Sequence, residues 1–190
     1  MDENNNKINP RLEGFLDIID SEDGKKLFDN ILEVFSVLHD EKQRKYHRSL
    51  PFGDYFVDRW DRAERLGFGL GASIYDSAVV LGDVVVGENT WVGPNTILDG
   101  SGKLRIGRYC SISAGAQIYS HDSVEWATSG GEKSYQYEPT IIEDNCYIGP
   151  NVIVSCGITI GKGAVVGANS FVNKNIMPGQ RVAGTPARVL

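Results

Sequence analysis

The chain has 190 residues, a formal net charge of −6 and 41% hydrophobic residues, which is a globular composition rather than a disordered or fibrous one. Because the net charge is negative and no long Lys/Arg run occurs, nothing in the electrostatics favours DNA or RNA as a partner. The 22 glycines are the compositional outlier, since an average protein has about 7%.

The N-terminal residues lack the basic and apolar segments of a signal peptide, and no stretch reaches the ~18 apolar residues that a membrane span needs. These features predict a soluble, cytoplasmic protein. The three cysteines cannot all pair and none forms a CxxC motif, so neither a disulfide framework nor a structural zinc site is expected.

Residues 1–70 are predicted to form a helical segment. Helices are expected from Pro10 to about His47, where apolar side chains recur at helical spacing: Leu27, Ile31, Val34, Phe35 and Leu38. A second, short helix is expected from Asp58 to Gly67. We expect this segment to pack on the domain that follows, residues 71–190, and to cap its open strands.

From residue 74 onward an aliphatic residue recurs every six positions. The first eight hexads, with two extra residues before Ile106, are led by Ile74, Val80, Val86, Val92, Leu98, Ile106, Ile112 and Ile118. The period resumes at Ile142, Ile148, Val154, Ile160, Val166 and Val172. The residue two positions earlier is mostly small or β-branched, which predicts that both side chains point into a core.

A period of six fits neither a helix nor a hairpin, but it fits short strands that alternate with corners. Glycine follows the aliphatic residue in six hexads, where we expect it to provide the backbone freedom of a corner: Gly87, Gly93, Gly107, Gly149, Gly161 and Gly167. Coils of this kind stack in parallel and align their aliphatic residues in ladders. The sequence therefore predicts a mainly β, parallel β-helix solenoid, and a β-sandwich would need wider turn spacing.

These repeats resemble the hexapeptide-repeat acyltransferases over roughly 74–190, and the segment Val182–Val189 is especially similar to the galactoside, maltose and nodulation-factor O-acetyltransferase branch. The resemblance implies a left-handed β-helix with three hexads per turn. It also implies acetyl-CoA as co-substrate, no metal, and direct transfer of the acetyl group without an acyl-enzyme.

The hexads lapse over residues 119–140, a long insertion of the kind that is more often functional than decorative. It begins close to His121, the only histidine of the repeat region. The resemblance implies that His121 is the general base, because the related enzymes have a catalytic histidine at the base of an extruded loop. An imidazole suits the removal of a proton from an attacking hydroxyl or amine.

The acceptor residues implied by the resemblance are Trp91 and Asn95, and Asp122, which directly follows His121, is a third candidate. Trp91 could equally be a buried interface aromatic, and the asparagine of the related enzymes aligns with Gly93, which argues for a different sugar. Asp122 could orient His121, contact the acceptor, or be a solvated loop residue.

The cofactor-binding residues implied by the resemblance are Ala168, Asn173, Lys174 and Arg188. Residues 142–190 carry four basic and two acidic side chains, so this segment suits the phosphates of CoA. An outward apolar strip is predicted if the phase of the hexads survives the insertion: Val79, Ile97, Gln117, Ile153 and Phe171. Such a strip predicts a homotrimer with active sites between subunits.

The predicted function is an acetyl-CoA-dependent acetyltransferase that acts on a hydroxyl or amino group of a sugar or nucleotide sugar, in surface polysaccharide or nucleotide-sugar metabolism. Serine and antibiotic acetylation remain open within the same fold. A non-catalytic scaffold and a metal-dependent hydratase on the same solenoid also remain open, although the hydratase needs about three histidine ligands per zinc.

Overall fold

The computed structural model describes residues 21–190 and divides them into two compact units, one ending at Phe56 and one spanning Val57–Leu190. The expected boundary near residue 70 therefore lies inside the second unit. The helix expected from Pro10 lies outside the described residues as far as Asp20. The packing of residues 1–70 as a whole on the solenoid stays a prediction.

The first unit contains helices α1 (Glu22–Tyr46) and α2 (Gly53–Phe56). The side chain of Ser21 caps α1 by accepting a hydrogen bond of 2.9 Å from the backbone N–H of Gly24, and His47 ends the helix in a left-handed conformation. No residue of α1 is buried. Within this unit Phe35 packs edge-on against Tyr55, with ring centroids 5.2 Å apart.

The second unit is a parallel β-solenoid of about six turns, as the repeats predict. One face consists of parallel strands and a closing antiparallel strand: β1 (Ser73–Ile74), β3 (Trp91–Val92), β5 (Ser111–Ile112), β10 (Tyr147–Ile148), β13 (Val165–Val166), β15 (Arg181–Ala183) and β16 (Arg188–Val189). We call it the first face.

Strands β2 (Val79–Val86) and β4 (Ile97–Ile106) run round one corner and so belong to both remaining faces. The second face continues with β6 (Gln117–Ile118), β11 (Ile153–Val154) and β14 (Phe171–Val172). The third face continues with β9 (Thr140–Ile142) and β12 (Thr159–Ile160). The insertion contributes β7 (His121–Asp122), helix α4 (Val124–Thr128) and β8 (Gln136–Tyr137).

The predicted core is confirmed. Thirteen of the fourteen leading aliphatic side chains are at most 3% exposed, and only Val80 is half-buried. The small residues two positions earlier are buried beside them, among them Ala116, Cys146 and Ala164. The strand registers stack each aliphatic residue on its equivalent one coil away, for example Leu98 on Ile118.

The reason expected for the repeated glycines is wrong. None of the six has a positive φ; instead, a Cβ at Gly87 would lie 2.6 Å from the backbone nitrogen of Arg108, and one at Gly107 would lie 2.6 Å from that of Asp144. These glycines are therefore required by the close approach of neighbouring coils. The left-handed backbone falls two residues later, mostly at Asn or Gly, for example at Asn95 with a φ of 55°.

Helix α3 (Arg59–Arg65) packs on the first coil of the solenoid. Ala63 is 1% exposed, and the Arg62 guanidinium donates hydrogen bonds to the carbonyl oxygens of Tyr75 and Ala78, the latter at 2.8 Å. Arg62 thus satisfies backbone acceptors at the end of the solenoid, where no further coil can do so.

Among the described residues, no helix has both the length and the apolar character that crossing a membrane requires.

Candidate active site

The insertion leaves the solenoid at the corner between the second and third faces. One coil earlier, β4 carries its two extra residues at the same corner. The regular phase resumes afterwards, because Ile153 pairs with Gln117 and Thr159 pairs with Ile141. The predicted outward strip of the second face is therefore aligned in register across successive coils.

His121 lies at the base of this insertion and is held by a carboxylate from the preceding coil. Its Nδ1 atom lies 2.5 Å from Oδ2 of Asp99, whose side chain is fully buried, whereas the His121 side chain is 29% exposed. Because Asp99 holds Nδ1, Nε2 is the ring nitrogen that is left to exchange a proton with another molecule.

The Asp99 carboxylate is embedded in hydrogen bonds. Oδ1 accepts from the backbone N–H of Ser101 at 2.9 Å, and Oδ2 accepts from that of Ser120 at 3.2 Å. Burial alone raises the pKa of Asp99, but the hydrogen bonds from Ser101, His121 and Ser120 outweigh it, so the pKa is lower than the usual value. Asp99 is therefore ionised at neutral pH and can stabilise a protonated His121.

The base of the insertion is fastened to β4 by further contacts. The Ser120 hydroxyl donates to the backbone oxygen of Asp99 at 2.6 Å and accepts from the backbone N–H of Gly102 at 2.8 Å. A Cβ at Gly102 would lie 2.1 Å from the backbone oxygen of Ser120, so only glycine allows this approach. His121 thus projects from a rigid support.

His121 lines a cavity of about 420 Å³ at the edge of the second face. The cavity wall consists of Tyr119, His121, Asp122, Ser123, Val124, Ile153, Ser155 and Cys156. The structure therefore brings the predicted residues His121 and Asp122 to one cavity, although Asp122 makes other contacts. Its Oδ1 accepts from the backbone N–H of Val124 at 3.1 Å, and its Oδ2 lies 3.5 Å from Sγ of Cys156.

Cys156 is chemically unsuited to be the nucleophile of this cavity. Burial and the neighbouring Asp122 carboxylate raise the pKa of its thiol, which is therefore protonated at neutral pH. The other two cysteines, Cys110 and Cys146, are buried in the core.

Asp99 is a candidate functional residue that the sequence analysis did not identify. It follows Leu98, which pairs with Ile118, so it is stacked one coil away from the start of the insertion. Counting hexads up to the irregularity after Leu98 would have placed Asp99 one coil away from the start of the insertion, but only the tertiary structure shows its contact with His121. Asp122, for which the sequence left open a role in orienting His121, has no hydrogen bond to the ring among the described residues.

The other predicted acceptor residues lie away from this cavity within the chain. Trp91 is on the first face, half-buried, with its ring 6.4 Å from that of Tyr75. Asn95 is an exposed, left-handed corner residue between the first and second faces.

Three of the four predicted cofactor-binding residues line one cavity of about 260 Å³ at the C-terminal end of the solenoid: Asn173, Lys174 and Arg188. The antiparallel pairing of Ala183 with Arg188 brings Arg188 back to this end. Ala168 lies elsewhere, at an exposed corner stacked on Gly149 of the preceding coil. The two cations suit a ligand with phosphate groups.

Within residues 21–190, no group of three or more His, Cys, Asp or Glu side chains is arranged to hold a metal ion.

Comparisons with known proteins show which proteins this chain is similar to. Residues 139–174 match the family described as hexapeptide repeat of succinyl-transferase. A crystal structure of a hexapeptide-repeat-containing acetyltransferase from Vibrio cholerae superposes with a TM-score of 0.60 at 26% identity, over 85% of this chain and 91% of that one. This chain therefore resembles hexapeptide-repeat acetyltransferases.

The chain is also 30% identical over 125 residues to galactoside O-acetyltransferase from Escherichia coli K12, and the aligned region covers 55% of this chain and 62% of that protein. The chain thus spans less than two thirds of that relative's length. An N-acyltransferase from Bacillus cereus, solved with dTDP and 3-hydroxybutyryl-CoA, shares the fold with a TM-score of 0.59 at 18% identity, over 70% of this chain and 89% of that one. All three are named as acyl- or acetyltransferases.

Proposed function

We propose that this chain is an acetyl-CoA-dependent acetyltransferase that moves an acetyl group to a hydroxyl or amino group of a sugar, with His121 as the general base. The observation that carries the proposal is the short contact between Nδ1 of His121 and the buried carboxylate of Asp99 beside a cavity of about 420 Å³. A histidine fixed in this way is prepared to accept a proton at Nε2.

The proposed reaction is a direct transfer. Nε2 of His121 takes the proton from the acceptor hydroxyl or amine while the acceptor oxygen or nitrogen attacks the thioester carbonyl carbon. The new C–O or C–N bond forms, the C–S bond breaks, and the departing sulfur receives the proton from His121 as CoA leaves. Asp99 stabilises the imidazolium that exists between the two proton transfers.

The C-terminal cavity fits the co-substrate. The ammonium of Lys174 and the guanidinium of Arg188 line it together, and both can donate charge-assisted hydrogen bonds to phosphate oxygens. The Bacillus cereus N-acyltransferase has been solved with an acyl-CoA, which supports a CoA ligand on this fold. We propose Ala168 and Asn173 as further contacts.

The proposed assembly is a homotrimer. The strip of the second face aligns Val79, Ile97, Ile153 and Phe171 on the outside of the solenoid, and Val79 and Ile153 are 46% and 38% exposed. Contiguous apolar surface of this kind is typical of interfaces. Trp91 and Asn95 do not reach the His121 cavity of their own chain, so we propose that they act in a site shared between subunits.

Release of free thiol from acetyl-CoA is the test. The purified full chain is assayed with monosaccharides, UDP-sugars, amino sugars and serine, and the acetylated product is identified by mass spectrometry. We expect thiol release with a sugar. Release with serine alone would replace the proposed acceptor, and no release with any acceptor, together with no thermal shift in acetyl-CoA, would favour a non-catalytic scaffold.

A further inference from the structure

The insertion exposes three aromatic side chains that the proposed reaction does not use. Tyr137 is 55% exposed, Trp126 43% and Tyr135 39%. The hydroxyls of both tyrosines and the indole N–H of Trp126 have no hydrogen-bond partner within residues 21–190. We call these three residues the aromatic surface. Such side chains offer both a flat apolar face and a free polar group to a ligand.

The aromatic surface is continuous with the proposed general base. His121 and Tyr137 are directly opposite each other in the antiparallel ribbon of β7 and β8, so their side chains share one face of it. Their ring centroids are 6.0 Å apart, and those of His121 and Tyr135 are 6.4 Å apart. Trp126, on α4, extends the surface, with its ring 5.4 Å from that of Tyr135.

The charges around this surface disfavour an anionic ligand. The wall of the His121 cavity contains Asp122 but no Lys or Arg. Residues 119–140 carry four acidic side chains and one basic side chain, Lys133. Lys133 is already paired with Glu125. The diphosphate of a nucleotide sugar would therefore be repelled by the excess negative charge here. An uncharged ligand would experience no such repulsion.

We propose that the aromatic surface is a second acceptor subsite, which binds a further ring of an uncharged oligosaccharide while the ring to be acetylated lies at His121. The C–H face of a pyranose can pack on the rings of Tyr135, Tyr137 and Trp126, and its hydroxyls can hydrogen-bond to the free tyrosine hydroxyls and the indole N–H. This inference rests on the proposed function and selects neutral glycans over nucleotide-linked sugars.

The kinetic test compares kcat/KM for thiol release within two neutral series, glucose to maltotriose and galactose to galactotriose, and with UDP-glucose and UDP-galactose. We expect about a threefold to tenfold increase from one ring to three in at least one neutral series, and no such gain with the UDP-sugars. Trp126→Ala and Tyr135→Ala should abolish the increase.

The matched control is Trp60→Ala, because Trp60 is 49% exposed on α3 and lies outside the insertion. This variant should retain the increase. Activity that does not rise with glycan length, a rise that survives both insertion variants, or a preference for the UDP-sugars would each overturn the subsite and leave acetyl transfer intact.

Binding without acetyl-CoA separates the two proposals. In a variant carrying Trp60→Phe and Trp91→Phe, Trp126 is the remaining tryptophan of the chain, so its fluorescence can be titrated with maltotriose and galactotriose. Saturable quenching in this variant, with no thiol release by the wild-type chain, would support the subsite and contradict the acetyltransferase. Thiol release by the wild-type chain, without quenching of the variant by either trisaccharide, would do the reverse.

Discussion

The Nδ1 atom of His121 lies 2.5 Å from the buried Oδ2 atom of Asp99, although 22 residues separate the two in sequence. The contact joins consecutive coils at the corner where the insertion leaves the solenoid. It determines which ring nitrogen of His121 is available, and the backbone N–H groups of Ser101 and Ser120 keep the carboxylate in place. The proposed proton transfer therefore depends on both residues.

Replacing His121 tests the general base directly. His121→Ala should lower kcat for acetyl transfer by about 10²- to 10⁴-fold, because the acceptor proton then has no positioned acceptor. The circular dichroism spectrum should be unchanged, since the side chain is partly exposed and outside the core. His39→Ala, on α1, is the matched control and should retain the wild-type kcat. Wild-type turnover in His121→Ala would remove this residue from the mechanism.

Asp99→Asn should reduce kcat by up to about 10⁴-fold with little change in KM for acetyl-CoA. The carboxamide can donate to Nδ1 and so stabilise the tautomer that carries its proton on Nε2, and it cannot neutralise an imidazolium. Asp83→Asn serves as the control, because Asp83 pairs with Arg105 at an exposed position. A loss confined to KM would show that Asp99 shapes the pocket and does not position the base.

The same carboxylate predicts a pH dependence of stability. The pKa of Asp99 is lower in the folded chain than its ordinary value, so ionised Asp99 stabilises the fold at neutral pH. This contribution is present above the unfolded pKa of about 3.9 and is lost as the pH falls through the lower folded value. The Tm difference between wild type and Asp99→Asn should therefore shrink as the pH falls below about 4, which thermal scans at a series of acidic pH values measure. A difference that persists unchanged in acid would contradict it.

Lys174→Ala and Arg188→Ala should each raise KM for acetyl-CoA by about tenfold, because each removes a charge-assisted contact with a phosphate. The kcat should change little, since neither residue lines the His121 cavity. Lys26→Ala, on α1, controls for the loss of one positive charge. Steady-state kinetics with acetyl-CoA as the varied substrate measures the effect, and an unchanged KM in both variants would place CoA elsewhere.

A charge in the outward strip tests the assembly. Ile153→Glu should convert a trimer into monomers in sedimentation equilibrium, because an unpaired carboxylate would be buried in the interface. Ile141→Glu is the matched control, since Ile141 is equally exposed, 38%, but lies on the third face. The proposal fails if the wild type is an active monomer or if both variants dissociate alike.

Much of this architecture could be predicted from the sequence alone. A period of six allows one arrangement in which every leading aliphatic side chain is buried, and Ile74, Leu98, Ile118 and Ile160 occupy it. Together with the three hexads per turn that the resemblance implies, the count of hexads also predicted which residues share a face, because each coil must stack in register on the next. The alignment of Ile153 with Gln117 was predicted on the condition that the phase of the hexads survives the insertion, and the strand register meets that condition.

Only the tertiary structure decided what depends on distances between coils. The glycine after each aliphatic residue is required by a backbone one coil away, which no local pattern reveals. Asp99 becomes the partner of His121, and Tyr137 its neighbour, because the irregularity in β4 and the insertion meet at one corner. Repetition determines a core, since identical contacts recur in each coil. The candidate site arises where repetition fails, and there the contacts are set by packing in three dimensions.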